Sequence, residues 1–151
     1  GRVGTGIAVR VGAPVPDISS AQALKGALLE ADAILYTIET SGQCVEETLE
    51  KLGIHAQLEA KTTRYRNGPD LMDRVLAGKG GEIAFLPMTA IRTYRGKGIV
   101  LVGPLPEEVQ HYLEFIAVPA SKTRHREIAW EFVHFCNGPG KQMMEAHWTG
   151  S

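Results

Sequence analysis

Cysteine is nearly absent from this chain: Cys44 and Cys136 are the only two in 151 residues. Both fall among apolar residues of expected helices, the setting of buried free thiols, and their separation is not that of a zinc site. Net charge is lacking too. The 16 Lys and Arg against 17 Asp and Glu leave −1, so the balance gives no reason to expect nucleic acid or an anionic membrane surface as partner. No run is long and apolar enough to span a bilayer, and the chain does not open in the form of a signal peptide.

The fingerprints of common chemistry are missing as well. There is no G-x-S-x-G elbow, no H-E-x-x-H, no P-loop and no G-x-G-x-x-G after a strand. The glycine-rich start, Gly1 to Gly6, precedes the first expected strand where a phosphate loop would follow it, and reads as a flexible end. His55, His111, His125, His134 and His147 form no i, i+4 pair and have no cysteine ligands beside them. Asp70 and Asp73, at i, i+3, read as a solvated helix face. The expectation is a protein without catalytic residues, metal or cofactor.

What remains is a pattern of alternating elements. Gly6–Val11 reads as a strand and Ala21–Ala31 as a helix opened by Asp17–Ser20. Ala33–Tyr36 is a short buried strand. After a polar break, Ser41 is the expected N-cap of a helix with Val45, Leu49 and Leu52 at i, i+4, i+7, ended by Gly53. A short helix His55–Ala60, a strand Thr62–Tyr65 and a helix begun by Asn67-Gly68-Pro69 follow, then a strand Gly81–Leu86 and a helical turn Met88–Arg92. Gly98–Val102 is continuously apolar, the signature of a strand covered on both faces. Gln110–Val118 reads as a long strand, Arg126–Asn137 as a helix and Gly140–His147 as another. This order predicts an α/β fold: an open, mainly parallel sheet with helices on both faces, in one domain spanning 1–149. Gly150-Ser151 reads as a cloning scar.

In such sheets ligands collect where helix starts follow strand ends. Two turns have that character, Thr40-Ser41-Gly42 and Arg66-Asn67-Gly68. Free backbone N–H groups and the positive end of a helix dipole favour an anion there. A serine at such a place also serves simply to cap its own helix, and the two roles are not separable at this stage.

Read with their flanks, these segments resemble a known family. Gly6–Arg10, Gly12–Ile18, Ala23-Leu24-Lys25, Ala27–Ala31, Leu52-Gly53-Ile54, Lys61-Thr62, Gly98–Pro106 and Ala129–Phe135 are similar, in order and spacing, to the later part of molybdate-type substrate-binding proteins of ABC transporters. These have the type II periplasmic binding protein fold. The resemblance covers nearly the whole chain, without the family's N-terminal lobe and its anion-holding serines. It implies the second lobe of a solute-binding protein, with its return strand and C-terminal helices, that captures a small oxyanion or other small solute for an ABC permease. Closure would run about a hinge including the Val9 and Phe115 strands.

The resemblance places anion contacts at Ser41 and Gly42, and at Asn67 and Gly68. Phe85 stands where molybdate binders have tyrosine, which removes a phenolic donor. A periplasmic or extracellular location is implied, while the absence of a signal peptide in the chain leaves a cytoplasmic one open. Two other classes compete: a homo-oligomeric interaction module that has lost transport, and an effector-sensing domain. Without the first lobe, Phe115, Phe132 and Phe135 are expected to be partly exposed, which favours a homo-oligomer.

Overall fold

The computed structural model describes residues 1–143. The chain falls into two compact units, Val3–Leu113 and a second made of Gly1–Arg2 with the residues from Glu114 onward. In order, its elements are β1 (Arg2–Arg10), α1 (Ala21–Glu30), β2 (Ala33–Thr37), α2 (Thr40–Lys51), α3 (His55–Leu58), β3 (Thr62–Tyr65), α4 (Gly68–Ala77), β4 (Glu82–Pro87), α5 (Met88–Arg92), β5 (Ile99–Pro104), β6 (Tyr112–Glu114) and α6 (Arg126–Asn137). Single 3₁₀ turns lie at Glu59–Lys61 and Glu107–Val109.

The sheet runs β3-β2-β4-β1-β5, with β6 also paired to β1. Strand β2 is parallel to β3 and β4, while β1 is antiparallel to β4 and β5. Along that path β1 alone is reversed, and β5 runs with β2, β3 and β4.

Side chains alternate between the two faces of each strand, and this sorts the core. Ile7, Val9, Ile34, Tyr36, Ile83 and Phe85 meet Leu24 and Leu28 of α1, Val45 and Leu49 of α2, and Leu58 of α3. The intervening Ala8, Leu35, Ala84 and Leu86 meet Leu71, Met72 and Val75 of α4 and Ile91 of α5. Helices therefore cover both faces, as their apolar stripes require.

Two expectations are corrected. The glycine-rich start is sheet interior, since β1 begins at Arg2 and is buried from Val3 to Val9. A Cβ on Gly6 would lie 2.7 Å from Met88 Cγ and 3.0 Å from the Gly103 carbonyl oxygen, so glycine serves close approach there and not flexibility. Strand β5 is an edge strand, largely half-buried, and its apolar run faces both layers as expected: Val100 and Val102 pack on the first cluster, Ile99 and Leu101 on the second. The long strand expected over Gln110–Val118 shrinks to Tyr112–Glu114, and Phe115, Ile116 and Val118 lie exposed beyond it.

Helix α6 has the expected bounds and ends at Gly138, whose N–H reaches the Phe135 carbonyl at 3.1 Å. It contains no buried residue: Ile128, Trp130, Phe132 and Phe135 are 63%, 43%, 61% and 46% exposed. In the same unit, Gly1 and Phe115 exchange two hydrogen bonds of 2.7 and 2.8 Å. Residues 139–143 are again helical. The remainder of the helix expected over Gly140–His147, with Gly150-Ser151, lies outside the described residues.

Candidate functional site

Strands β2 and β3 end level with one another: Thr37 is in register with Tyr65, and the Ile38 N–H donates to the Tyr65 carbonyl at 2.8 Å. The turns after them leave the same edge of the sheet. Strand β4, parallel to β2, delivers α5 to that edge as well. The starts of α2, α4 and α5 thus gather at the carboxyl end of three strands, all within the Val3–Leu113 unit.

The first of these starts differs from its expected form. Helix α2 begins at Thr40, with extended Glu39 at the N-cap and no side-chain cap bond. Ser41 is the second helical residue and not the cap. Its Oγ lies 3.0 Å from Oγ1 of Thr37, itself 2% exposed at the end of β2. The connection is this short because Gly42 lets the first turn fold onto the strand. A Cβ on Gly42 would fall 1.6 Å from the Thr37 carbonyl oxygen. Glycine is therefore required by packing. The Gly42 and Gln43 N–H groups both reach the Glu39 carbonyl, at 2.8 and 3.2 Å. The amides of Thr40 and Ser41, which no helix start supplies with an internal acceptor, stand ahead of them beside the hydroxyl pair.

Helix α4 starts differently. Asn67 is extended, at φ −151°, and its Oδ1 accepts the Asp70 N–H at 2.9 Å while Nδ2 donates to Asp70 Oδ2 at 2.9 Å. Pro69 occupies the first turn, as its fixed φ and missing N–H suit it to do. The Asn67 side chain is committed to this cap, and the Asp70 carboxylate already meets the positive end of the helix. Gly68, half-buried, opens the helix beside it. Of the two turns, the α2 start carries the spare donors.

Phe85 departs from expectation. Its ring is 1% exposed and packs on the α1–α3 face with Tyr36, so its side chain offers no surface to a solute in this unit. Gln110, which no motif marks, also has a part in this end of the sheet. Its Oε1 accepts the Thr5 N–H at 2.9 Å, and its Nε2 donates to the Thr5 and Leu105 carbonyls at 3.1 and 3.2 Å. Thr5 is paired with Pro87, so Gln110 fastens the β1 side of the same sheet end.

At the other end of the sheet the helices terminate, and cations of the chain meet their last carbonyls. Lys61 Nζ reaches the Leu29 and Ala31 carbonyls at 2.6 Å each, Lys25 Nζ the Leu52 carbonyl at 2.8 Å, and Arg10 Nη1 the Gly78 carbonyl at 2.6 Å. Glu82, 5% exposed, accepts from Arg74 and from the Lys79 and Gly80 amides at 2.9, 3.2 and 2.9 Å. Burial pushes its carboxyl up, but the amides and Arg74 outweigh that and hold it below the usual glutamate range. On the β3 edge, Arg64 grips Glu59 through both terminal nitrogens and Glu46 through Nε, and lies over the Tyr36 ring. Burial, set against the Arg64 charge, pushes the Tyr36 hydroxyl up to about 12.

An open α/β sheet with helix starts gathered at one end is the frame of a binding protein. Residues 3–147 match the model of the bacterial extracellular solute-binding proteins, and the chain belongs to that family. A relative, aconitate isomerase from a Pseudomonas species, is 28% identical over 124 residues, which are 82% of this chain and 46% of that protein. The chain thus spans about half the length of this relative.

Among solved structures, it is similar to the tungstate-binding protein TupA from Desulfovibrio alaskensis at 11% identity, TM-score 0.61, over 95% of this chain and 62% of that one. An ancestral amino acid-binding protein, a precursor of cyclohexadienyl dehydratase, gives 16% identity and TM-score 0.54 over 98% and 58%. The Drosophila muscle GluRIIB complex with glutamate gives 18% and 0.57 over 100% and 60%. What is shared at these identities is the type II periplasmic binding protein fold. No helix among the described residues is long and apolar enough to cross a membrane.

Proposed function

We propose that this chain contributes one lobe of a solute-binding protein and holds the anionic group of a small solute at the carboxyl end of β2, β3 and β4. The observation that carries this reading is the α2 start, with no side-chain cap and with the Thr37–Ser41 hydroxyl pair at its mouth. The Thr40 and Ser41 amides and the Ser41 hydroxyl donate to the anion, and the Gly42 packing against Thr37 holds them in place. Across the same edge, Asn67 orients the α4 start and leaves Gly68 to complete the rim, while Phe85 supports the site from within the core.

The relatives' ligands and substrate, as their names give them, share an anionic oxygen group: tungstate, an amino acid, glutamate, aconitate. That common chemistry supports an anion here, whether a molybdate-like oxyanion or a carboxylate. In the full system the solute passes to an ABC permease outside the cytoplasm, without any covalent step. Binding by this lobe alone is weak, because donors from one side only are present.

The reading is tested by calorimetric titration of sulfate, molybdate and a small dicarboxylate into the protein and its Ser41→Ala variant at fixed ionic strength, since screening otherwise mimics a lost contact. Deleting the hydroxyl should weaken the preferred anion by about tenfold, the loss of one charge-assisted hydrogen bond. Equal affinity in the two proteins overturns the role of Ser41.

A second reading follows from the exposed α6. A helix that presents Phe132, Phe135, Trp130 and Ile128 to solvent is the kind of surface that finds a partner, and a second copy of this chain supplies the same apolar chemistry. A dimer mass by light scattering at micromolar protein is the expected result, and a monomer mass at that concentration counts against it.

A further inference from the structure

At the sheet end opposite the helix starts lies an open cleft of about 510 Å³, formed entirely within the Val3–Leu113 unit. One wall is α1, which turns Ala23, Gly26, Ala27 and Glu30 toward it at i, i+3, i+4, i+7. The facing wall is the extended Pro14-Val15-Pro16-Asp17 segment, with Val15 65% exposed. Val9 and Ile83 are among the remaining apolar lining residues.

Two observations point to an occupant. Gly26 sits in the interior of α1, where glycine weakens a helix relative to alanine, yet a Cβ added there meets nothing within 4 Å. No neighbour among the described residues requires the glycine, which leaves the helix backbone open to approach from outside. The second is charge. Asp17, Glu30 and Glu82 line the cleft and no Lys, Arg or His does. Glu82 is taken by Arg74, but among the described residues neither Asp17 nor Glu30 is in an ion pair, although Asp17 Oδ1 accepts the Ser19 N–H at 2.9 Å. Asp17 precedes the α1 start and Glu30 ends the helix, which puts one carboxylate toward each end of an apolar trough. From Ala23 to Glu30 the trough runs about 10 Å, the length of about three extended residues.

We propose that this cleft docks a short extended segment of a partner protein, apolar in the middle and basic at both ends. The backbone of that segment approaches α1 at Gly26, its central side chains lie on Ala23, Ala27 and Val15, and its flanking cations meet Asp17 and Glu30. The site is separate from the anion site and stands or falls independently of it.

The test uses the blocked peptide acetyl-Arg-Val-Leu-Arg-amide and its counterpart acetyl-Glu-Val-Leu-Glu-amide, each titrated to 5 mM on the order of a weak peptide affinity, with amide shifts followed in the labelled chain. The basic peptide should shift Ala23, Gly26, Ala27 and Glu30 saturably and the acidic one should not. Gly26→Ala should raise the melting temperature, which shows an intact fold, and weaken the basic peptide several-fold. Gly26→Leu should abolish its binding, and the pair Asp17→Asn, Glu30→Gln should weaken it at least tenfold. No saturable shift on α1, equal shifts with the acidic peptide, or unchanged affinity in folded Gly26→Ala would each overturn the proposal.

Discussion

The two ends of the sheet have opposite needs, and the chain's own side chains meet one of them more fully than the other. Where helices finish, their last carbonyls are taken up by Lys61, Lys25 and Arg10, and the buried Glu82 by Arg74 and two amides. Where helices begin, α1 and α4 have their Ser20 and Asn67 caps, but α2 and the short α5 have none, and Glu39 before α2 makes no cap bond. Parallel strands with returning helices put the starts of those helices at one end and their finishes at the other, so donors and acceptors are segregated by topology. The lesson is that the end left short of internal partners is the end suited to a ligand.

Breaking the close contact at the helix-start end should have the largest effect. Gly42→Ala forces a Cβ onto the Thr37 carbonyl oxygen, a backbone atom that has nowhere to go, and should cost about 3 kcal/mol by urea denaturation. A near-neutral result would mean that α2 does not need its close approach to β2.

At the opposite end, Glu82→Gln removes a charge bonded by Arg74 and two amides and should cost about 2 kcal/mol at neutral pH. The sign with pH follows from its lowered pKa. The stabilisation is fully present above the unfolded carboxyl value of 4.5 and is lost as pH falls through the folded value. The wild-type and Gln variants should therefore converge in stability in acid, which a pH series of denaturation curves would show.

Much of this frame was legible in advance. Element order, the bounds of α6 and the turn at Asn67 follow from apolar periodicity and from glycine, proline and asparagine at element ends. The failures share a cause: a residue type was read by its usual role when a tertiary contact governed it. Gly4 and Gly6 looked like a flexible end but admit close neighbours in a central strand. Gly42 was chosen as an anion contact, and its first duty is to fit against Thr37. Ser41 has cap chemistry, but that contact starts α2 earlier, which moves the cap to Glu39. Phe85 came from a resemblance that does not specify which way a strand residue points. Glu82, a charge at the head of an apolar strand, gives no sign in one dimension that it is buried. Gln110 is equally silent, because Thr5, which it both accepts from and donates to, lies on β1 105 positions earlier.

Smaller substitutions sharpen the contrast between the two helix starts. Asn67→Ala removes a true cap and should cost about 1 kcal/mol in denaturation, with little change in anion affinity. Ser41→Ala loses one hydroxyl contact with Thr37 and should cost about 0.5 kcal/mol, while its effect on anion affinity is large. A reversal of that pattern would transfer the site from α2 to α4.

The most direct measurement is a titration of the labelled protein with sulfate, molybdate and a small dicarboxylate, following the backbone amides at both ends of the sheet. Saturable shifts are expected at Thr40, Ser41 and Gly68, with Gly80 and Gly81 unmoved. Shifts confined to Gly80 and Gly81, or none at Thr40 and Ser41 with any of the three anions, would contradict this expectation.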